Sequence, residues 1–255
     1  MPVIGDQSSQ PGTDIIKIPA TGFTYSMTRI ADLEASEYTL VHIASDVSGS
    51  VSNFKSEMEN VLEEIASSCQ KSPRADNLLM RHTMFGDKVN TNHDWKMLRY
   101  INPADYKNCL NISGSTALFD AAQEGLTVMG DMGEKLTQAK FACNGIIFFI
   151  TDGCDNASHS TPVMVKDTIN NIVVGEKMES LISILIGVGI APYTKQALDR
   201  FKNEAGLTHF IELKDASKNS LAKLAAFVSK SISSQSNALG SGSASRQLTS
   251  GNLTI

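Results

Sequence analysis

Apolar and polar positions along the chain fall into two alternating patterns. The first is the short uninterrupted apolar run, at 38–45 (YTLVHIAS), 145–151 (GIIFFIT) and 181–188 (LISILIGV). Such runs, bounded by polar loops, predict strands buried on both faces, as in a parallel sheet. β-Rich segments at 78–85 and 209–213 predict two more strands, and 96–101 predicts a short edge strand. The second pattern is helical. Val51, Phe54, Met58, Val61, Leu62, Ile65 and Cys69 recur at steps of three and four, with Ser52 or Asn53 available as a cap and Ser72-Pro73 as a stop. Leu118, Ala122, Leu126, Met129 and Leu136 share one face of a long helix over 116–136. Helices are also expected at 162–177, at 195–204, and at 220–232, where Leu221, Leu224, Ala225, Val228 and Ile232 are helically spaced.

Strands alternating with helices predict an α/β fold, a doubly wound and mostly parallel sheet with helices on both faces. There is no internal repeat. The expected organisation is one domain over 37–232, preceded by an arm over 1–36 in which 22–30 can add an edge strand. The Ser-, Gly-, Asn- and Gln-rich stretch 233–255 reads as a flexible tail.

The 255 residues can bury a large core without disulfides or a structural metal. Twenty-two basic against 27 acidic side chains argue against nucleic-acid or anionic-membrane binding. Cys69, Cys109, Cys143 and Cys154 lack CxxC spacing, so neither a disulfide framework nor a zinc site is expected. The start of the chain has no signal-peptide pattern and no apolar run is long enough to span a bilayer, which together predict a cytoplasmic location.

In an open parallel sheet, ligands bind beyond the carboxyl ends of the strands. Three polar segments fall there: Asp46-Val47-Ser48-Gly49-Ser50, Ser113-Gly114-Ser115-Thr116 and Thr151-Asp152-Gly153-Cys154-Asp155-Asn156. Their side chains supply two carboxylates and several hydroxyls, a hard-oxygen set suited to Mg2+, with Mn2+ or Ca2+ as alternatives. Mg2+ takes six oxygens near-octahedrally and keeps some waters in its shell. An acidic group from outside can complete it.

The three segments in this order, Asp46-x-Ser48-x-Ser50, Ser-Gly-Ser-Thr116 and Ile-Thr-Asp152-Gly, resemble the metal-ion-dependent adhesion site of von Willebrand factor A (vWA) domains. The resemblance spans roughly 37–232 and is nearer to intracellular bacterial or phage vWA proteins than to adhesion receptors. It implies a six-stranded, mostly parallel sheet with one antiparallel edge strand. It also implies a metal held by the hydroxyls of Ser48, Ser50 and Thr116, with Asp46 and Asp152 acting directly or through water. The implied function is non-enzymatic: a metal-dependent protein-binding module whose partner supplies an acidic side chain.

Two other functions share these residues. A self-assembling homo-oligomer would use the arm or tail on a neighbouring copy's site. A Mg2+-dependent phosphohydrolase would use Asp46 as nucleophile, but Ser48 stands where such enzymes carry a second Asp. Asp87 reads as a loop residue, Cys154 as a free and partly buried thiol. Asp155 and Asn156 read as turn formers, with Asp155 also able to accept from a metal-bound water. His42 and His82 fall inside strands as core residues; His93, His159 and His209 read as loop or strand-end positions. Gly187-Val-Gly189 lacks a third glycine, and there is no P-loop and no HExxH.

Overall fold

The computed structural model describes residues 12–243. The elements are β1 (Thr13–Lys17), β2 (Thr24–Thr28), β3 (Glu37–Asp46), α1 (Lys55–Gln70), β4 (Leu78–Phe85), β5 (Val89–Met97), α2 (Leu118–Gln138), β6 (Ala142–Thr151), α3 (Pro162–Val174), β7 (Leu181–Val188), α4 (Pro192–Ala205), β8 (His209–Leu213) and α5 (Lys218–Ser241). They build one sheet in the order β1-β2-β5-β4-β3-β6-β7-β8. Strands β4, β3, β6, β7 and β8 run parallel to one another, and β5 runs antiparallel to β4.

Each central strand is apolar on both faces because both faces are covered. Val41 and Ile43 of β3 pack with Leu62, Ile65, Leu224 and Val228, under α1 and α5. Leu40 and Ala44 point the other way, into a second core with Leu126, Val165 and Phe201 of α2, α3 and α4. Chain order reverses between β3 and β6: β3 leads through α1 to β4 on one side, while β6 leads through α3 to β7 on the other. That is the switch point at which a doubly wound sheet opens a crevice at its carboxyl edge. Among the described residues no helix is long and apolar enough to cross a membrane.

The expected α/β architecture is observed, with differences at the edges. The six-stranded sheet from β5 to β8 is extended to eight by β2, at the position expected of an edge strand, and by β1, which lay unrecognised in the arm. The edge strand expected at 96–101 is instead Val89–Met97, followed by a 3-10 turn at Leu98–Tyr100. Its polar run Asn90-Thr91-Asn92 hid it: β2 pairs with β5 only at Met27↔Trp95, and the exposed stretch before that pair need not be apolar. His93 therefore sits inside a strand. The last helix continues nine residues past Ile232 to Ser241. Its Ser-rich end is held by tertiary bonds that composition does not reveal: Asn144 Nδ2 donates to Gln235 O at 2.9 Å and Arg74 Nε to Ser236 Oγ at 3.2 Å. Of the expected tail, 244–255 lies outside the described residues, as does 1–11 of the arm.

A polar layer runs through the apolar sheet. Arg81 of β4 is fully buried and forks onto Glu124 of α2 at 2.6 and 3.0 Å. Its Nε donates to Asp94 of β5 at 3.0 Å, and Asp94 in turn accepts from the Ser26 amide of β2 at 2.8 Å. Tyr25 of β2 donates to Asp131 of α2 at 2.7 Å. The first hairpin is thereby tied to both β5 and α2. On the opposite face, buried His82 and half-buried His93 pack on Tyr106, and His93 Nε2 lies 2.7 Å from Tyr106 Oη. Burial holds the imidazoles of His42, His82 and His93 below the ordinary histidine range, His93 at about 4.

Two outcomes follow from this layer. Glu124→Ala leaves Arg81 buried with half its compensation, so a loss of about 3–5 kcal/mol is expected in urea unfolding. The buried histidines stay neutral in the folded state while unfolded ones protonate below pH ~6.5. Stability is therefore lost as pH falls from about 6.5 toward 4, with His93 alone contributing roughly 3 kcal/mol of that loss. Urea unfolding of His93→Asn across this range should give a shallower pH dependence than the wild type.

Candidate metal centre

Strand β3 ends at Asp46, 2% exposed, and the chain turns at once through Val47 and Ser48 into a 3-10 segment, Gly49–Phe54. The turn is built on the carboxylate. Asp46 Oδ1 accepts the Ser48 amide at 2.7 Å, and Oδ2 accepts the Thr151 hydroxyl at 2.5 Å from the end of the adjacent strand β6. Ser50 Oγ donates to Asp152 Oδ1 at 2.8 Å. The Ser48 and Ser50 hydroxyls lie 3.2 Å apart. Ser50 has spent its one proton on Asp152, so Ser48 is the donor of that pair and both serines keep lone pairs free.

The Ser113–Thr116 segment is knitted by backbone to the Asp46–Ser50 turn and to Gly86. Ser113 N donates to Val47 O at 2.8 Å, Gly49 N to Gly114 O at 3.3 Å, and Ala117 N to Gly86 O at 2.8 Å. Asp87, expected as a loop residue, accepts the Ser115 amide at 2.8 Å. Gly114 has φ +70°, and a Cβ there would lie 2.0 Å from Asp87 Oδ2. Thr116 is buried, and the Cβ position of Gly153 lies 3.6 Å from its Oγ1.

All five predicted site residues, Asp46, Ser48, Ser50, Thr116 and Asp152, therefore lie on three loops interlocked at the carboxyl edge, over the switch point between β3 and β6. Sequence reasoning passed over Thr151. The visible signal was a hydroxyl residue closing an otherwise apolar strand. It also missed Asn156 as a partner of Thr116.

The electrostatics favour a cation. Burial pushes the Asp46 carboxyl up to about 6, and the nearby charge of Asp152 adds to the effect. Burial raises Asp152 as well. Two carboxylates are thus held in one crevice, and among the described residues neither is ion-paired to Lys or Arg. Two such acids with three neutral hydroxyls fit a hard divalent ion. A site of three or more His, Cys, Asp or Glu does not occur among the described residues. Softer, nitrogen- or sulfur-rich metal chemistry has no such cluster to use. Cys154 is a free, half-buried thiol.

No protein-family profile and no curated protein matches the chain in sequence. Solved structures do match in shape. The PilB minor pilin of Streptococcus sanguinis, as its D319A mutant, superposes with a TM-score of 0.56 and 12% identity over 86% of this chain and 66% of its own. The pilus adhesin SpaC of Lactobacillus rhamnosus GG, in its open conformation, gives 0.55 and 11% over 88% of this chain and 32% of its own. Proximal thread matrix protein 1 of the mussel byssus, in a form with a zinc-occupied MIDAS motif, aligns at 0.48 and 18% over 79% of this chain and 47% of its own. The chain thus spans between about a third and two thirds of the length of these proteins. The first two likenesses show a shared α/β fold; the third, below 0.5, is too loose to add to them.

Gly114→Ala tests how tightly the crevice is built. The left-handed backbone alone costs a residue with a Cβ about 1–2 kcal/mol, and the contact with Asp87 adds to it. A drop of at least that size in urea unfolding is expected.

Proposed function

We propose that the chain is a metal-dependent protein-binding module of the vWA type. Its ion is held by Ser48, Ser50 and Thr116 through hydroxyls and by Asp46 and Asp152 directly or through water. The observation that carries this reading is the convergence of two carboxylates with no basic partner among the described residues, Asp46 buried and Asp152 half-buried, with three hydroxyls on three interlocked loops. The bound ion would supply a Lewis-acid position open to one further hard ligand. Mg2+ suits the donor set best, with Mn2+ or Ca2+ as alternatives.

The chain's own residues do the rest. Thr151 and the Ser48 amide hold the Asp46 carboxylate with both oxygens engaged. The Ser48–Ser50–Asp152 hydroxyl chain sets the spacing across the crevice. A partner's Asp or Glu would complete the shell, because Mg2+ takes six oxygens and the five side chains leave a position open to a further hard ligand. The shared fold with a pilin and an adhesin is compatible with an interaction role. A non-enzymatic role is favoured over a phosphohydrolase by Ser48, which stands where a second catalytic Asp is required. A cytoplasmic location of the intracellular bacterial or phage type, and self-assembly through the 1–36 arm or the 233–255 tail, belong to the same reading as expectations from sequence.

Metal-dependent thermal stability tests it. At one hundred times the dissociation constant, Mg2+ or Mn2+ should add ~2.7 kcal/mol to the wild type, a rise of about 5–10 °C for a chain of this size. Ser48→Ala and Asp152→Ala should lose the shift, and chelator should abolish it. A wild type that melts at one temperature in metal and in chelator would remove the mechanism.

A further inference from the structure

Helix α2 begins directly after Thr116, yet its own N-cap residue, Ala117, makes no side-chain cap. The free amides of its first turn are met from another part of the chain. Phe119 N donates to Asp155 Oδ2 at 3.0 Å and Asp120 N to Ser158 Oγ at 3.0 Å. In the reverse direction, Asp120 Oδ1 accepts the Ser160 amide at 2.7 Å and the His159 amide at 3.1 Å. Asp155 also accepts the Ser158 hydroxyl. Between these bonds and the crevice sits a reciprocal clamp. Thr116 N donates to Asn156 Oδ1 at 2.8 Å, and Asn156 N donates to Thr116 O at 3.0 Å.

The clamp closes both backbone polar groups of Thr116 onto the loop that carries Asp152. Asp155 follows Asp152 by three positions and Asn156 by four. With the Asp155 and Ser158 caps, it makes the start of α2 and the 152–160 loop a single hydrogen-bonded body. Thr116 and Asp152 are then set relative to each other before any ligand arrives.

We propose that Asn156 is a positioning residue for the site: it fixes the Thr116 hydroxyl at the crevice, with Asp155 and Ser158 anchoring the helix behind it. Thr116 and Asp152 thus form one preset half of the site, and the Asp46–Ser50 loop forms the other. This rests on the metal reading above. Outer partners that orient a ligand are worth about 10–100-fold in metal affinity.

The test uses the full chain with Mn2+ as the probe, titrated by calorimetry and by water-proton relaxation, which counts the waters on the bound ion. Asn156→Ala removes the acceptor for the Thr116 amide, whereas Asn156→Asp keeps an oxygen in its place. The expected result is wild-type binding, affinity lowered at least tenfold in Asn156→Ala with one extra water on the ion, and affinity retained in Asn156→Asp. The extra water is the decisive signature, because a change that merely loosened the fold would not exchange a protein ligand for solvent. If Asn156→Ala does not fold, Asn156→Ser, whose hydroxyl is too short to bridge to Thr116, takes its place. Wild-type binding with unchanged affinity and water count in the alanine or serine variant overturns the positioning role and leaves the metal site standing. No Mn2+ binding by the wild type overturns both.

Discussion

A carboxylate at the end of the central strand has to be solvated by the protein itself. Asp46 is 2% exposed, and its oxygens are met by one backbone amide and one hydroxyl from the next strand. That bond to Thr151 crosses the β3–β6 pair at its last rung, where the two strands run in parallel register from Glu37↔Ala142 to Ser45↔Ile150. A slip of one residue would turn each apolar side chain to the wrong face and carry Asp46 away from Thr151. The hydrophobic register of the sheet and the geometry of the crevice are consequently the same constraint.

The loops converge because of topology. Parallel strands deliver their carboxyl ends to one edge, and the reversal of strand order leaves a gap there that no crossover helix fills. The Ser48–Ser50 turn lies on one side of the gap and the Asp152 turn on the other, with the 113–117 loop tucked beneath through Val47, Gly49 and Gly86. Burial that raises both acids is tolerable because hydroxyls and amides surround them, and it leaves a crevice whose unmet charge suits a small hard cation.

The rest of the molecule supports this edge from below. The Arg81 network binds the first hairpin, β4, β5 and α2 into one unit, and α2 is the helix whose first turn carries the Thr116 loop. Removing one partner of a pair this buried is costly, because the other charge is left without compensation.

Much of this protein was legible in its sequence. The apolar runs that became β3, β6 and β7 can be buried on two faces only in a covered parallel sheet, so the fold class followed from them. Strands β4, β7 and β8 fall where the pattern puts them, because their apolar residues are bounded by loop residues. The five residues gathered at the carboxyl edge were visible too, through the resemblance of their three short segments to the vWA metal-site motif, because polar residues at strand ends can be read from local sequence. What the chain could not reveal alone was everything decided by distant contacts. Strand β5 is polar, and strand β1 is short and exposed; both are strands only because a neighbouring edge offers them hydrogen bonds. The Ser-rich end of α5 is helical only because Asn144, Ser180 and Arg74 hold it. Asn156 looked like a turn former until the fold placed it against Thr116, 40 residues away in sequence, since which polar group meets which is settled by three-dimensional packing and not by spacing along the chain.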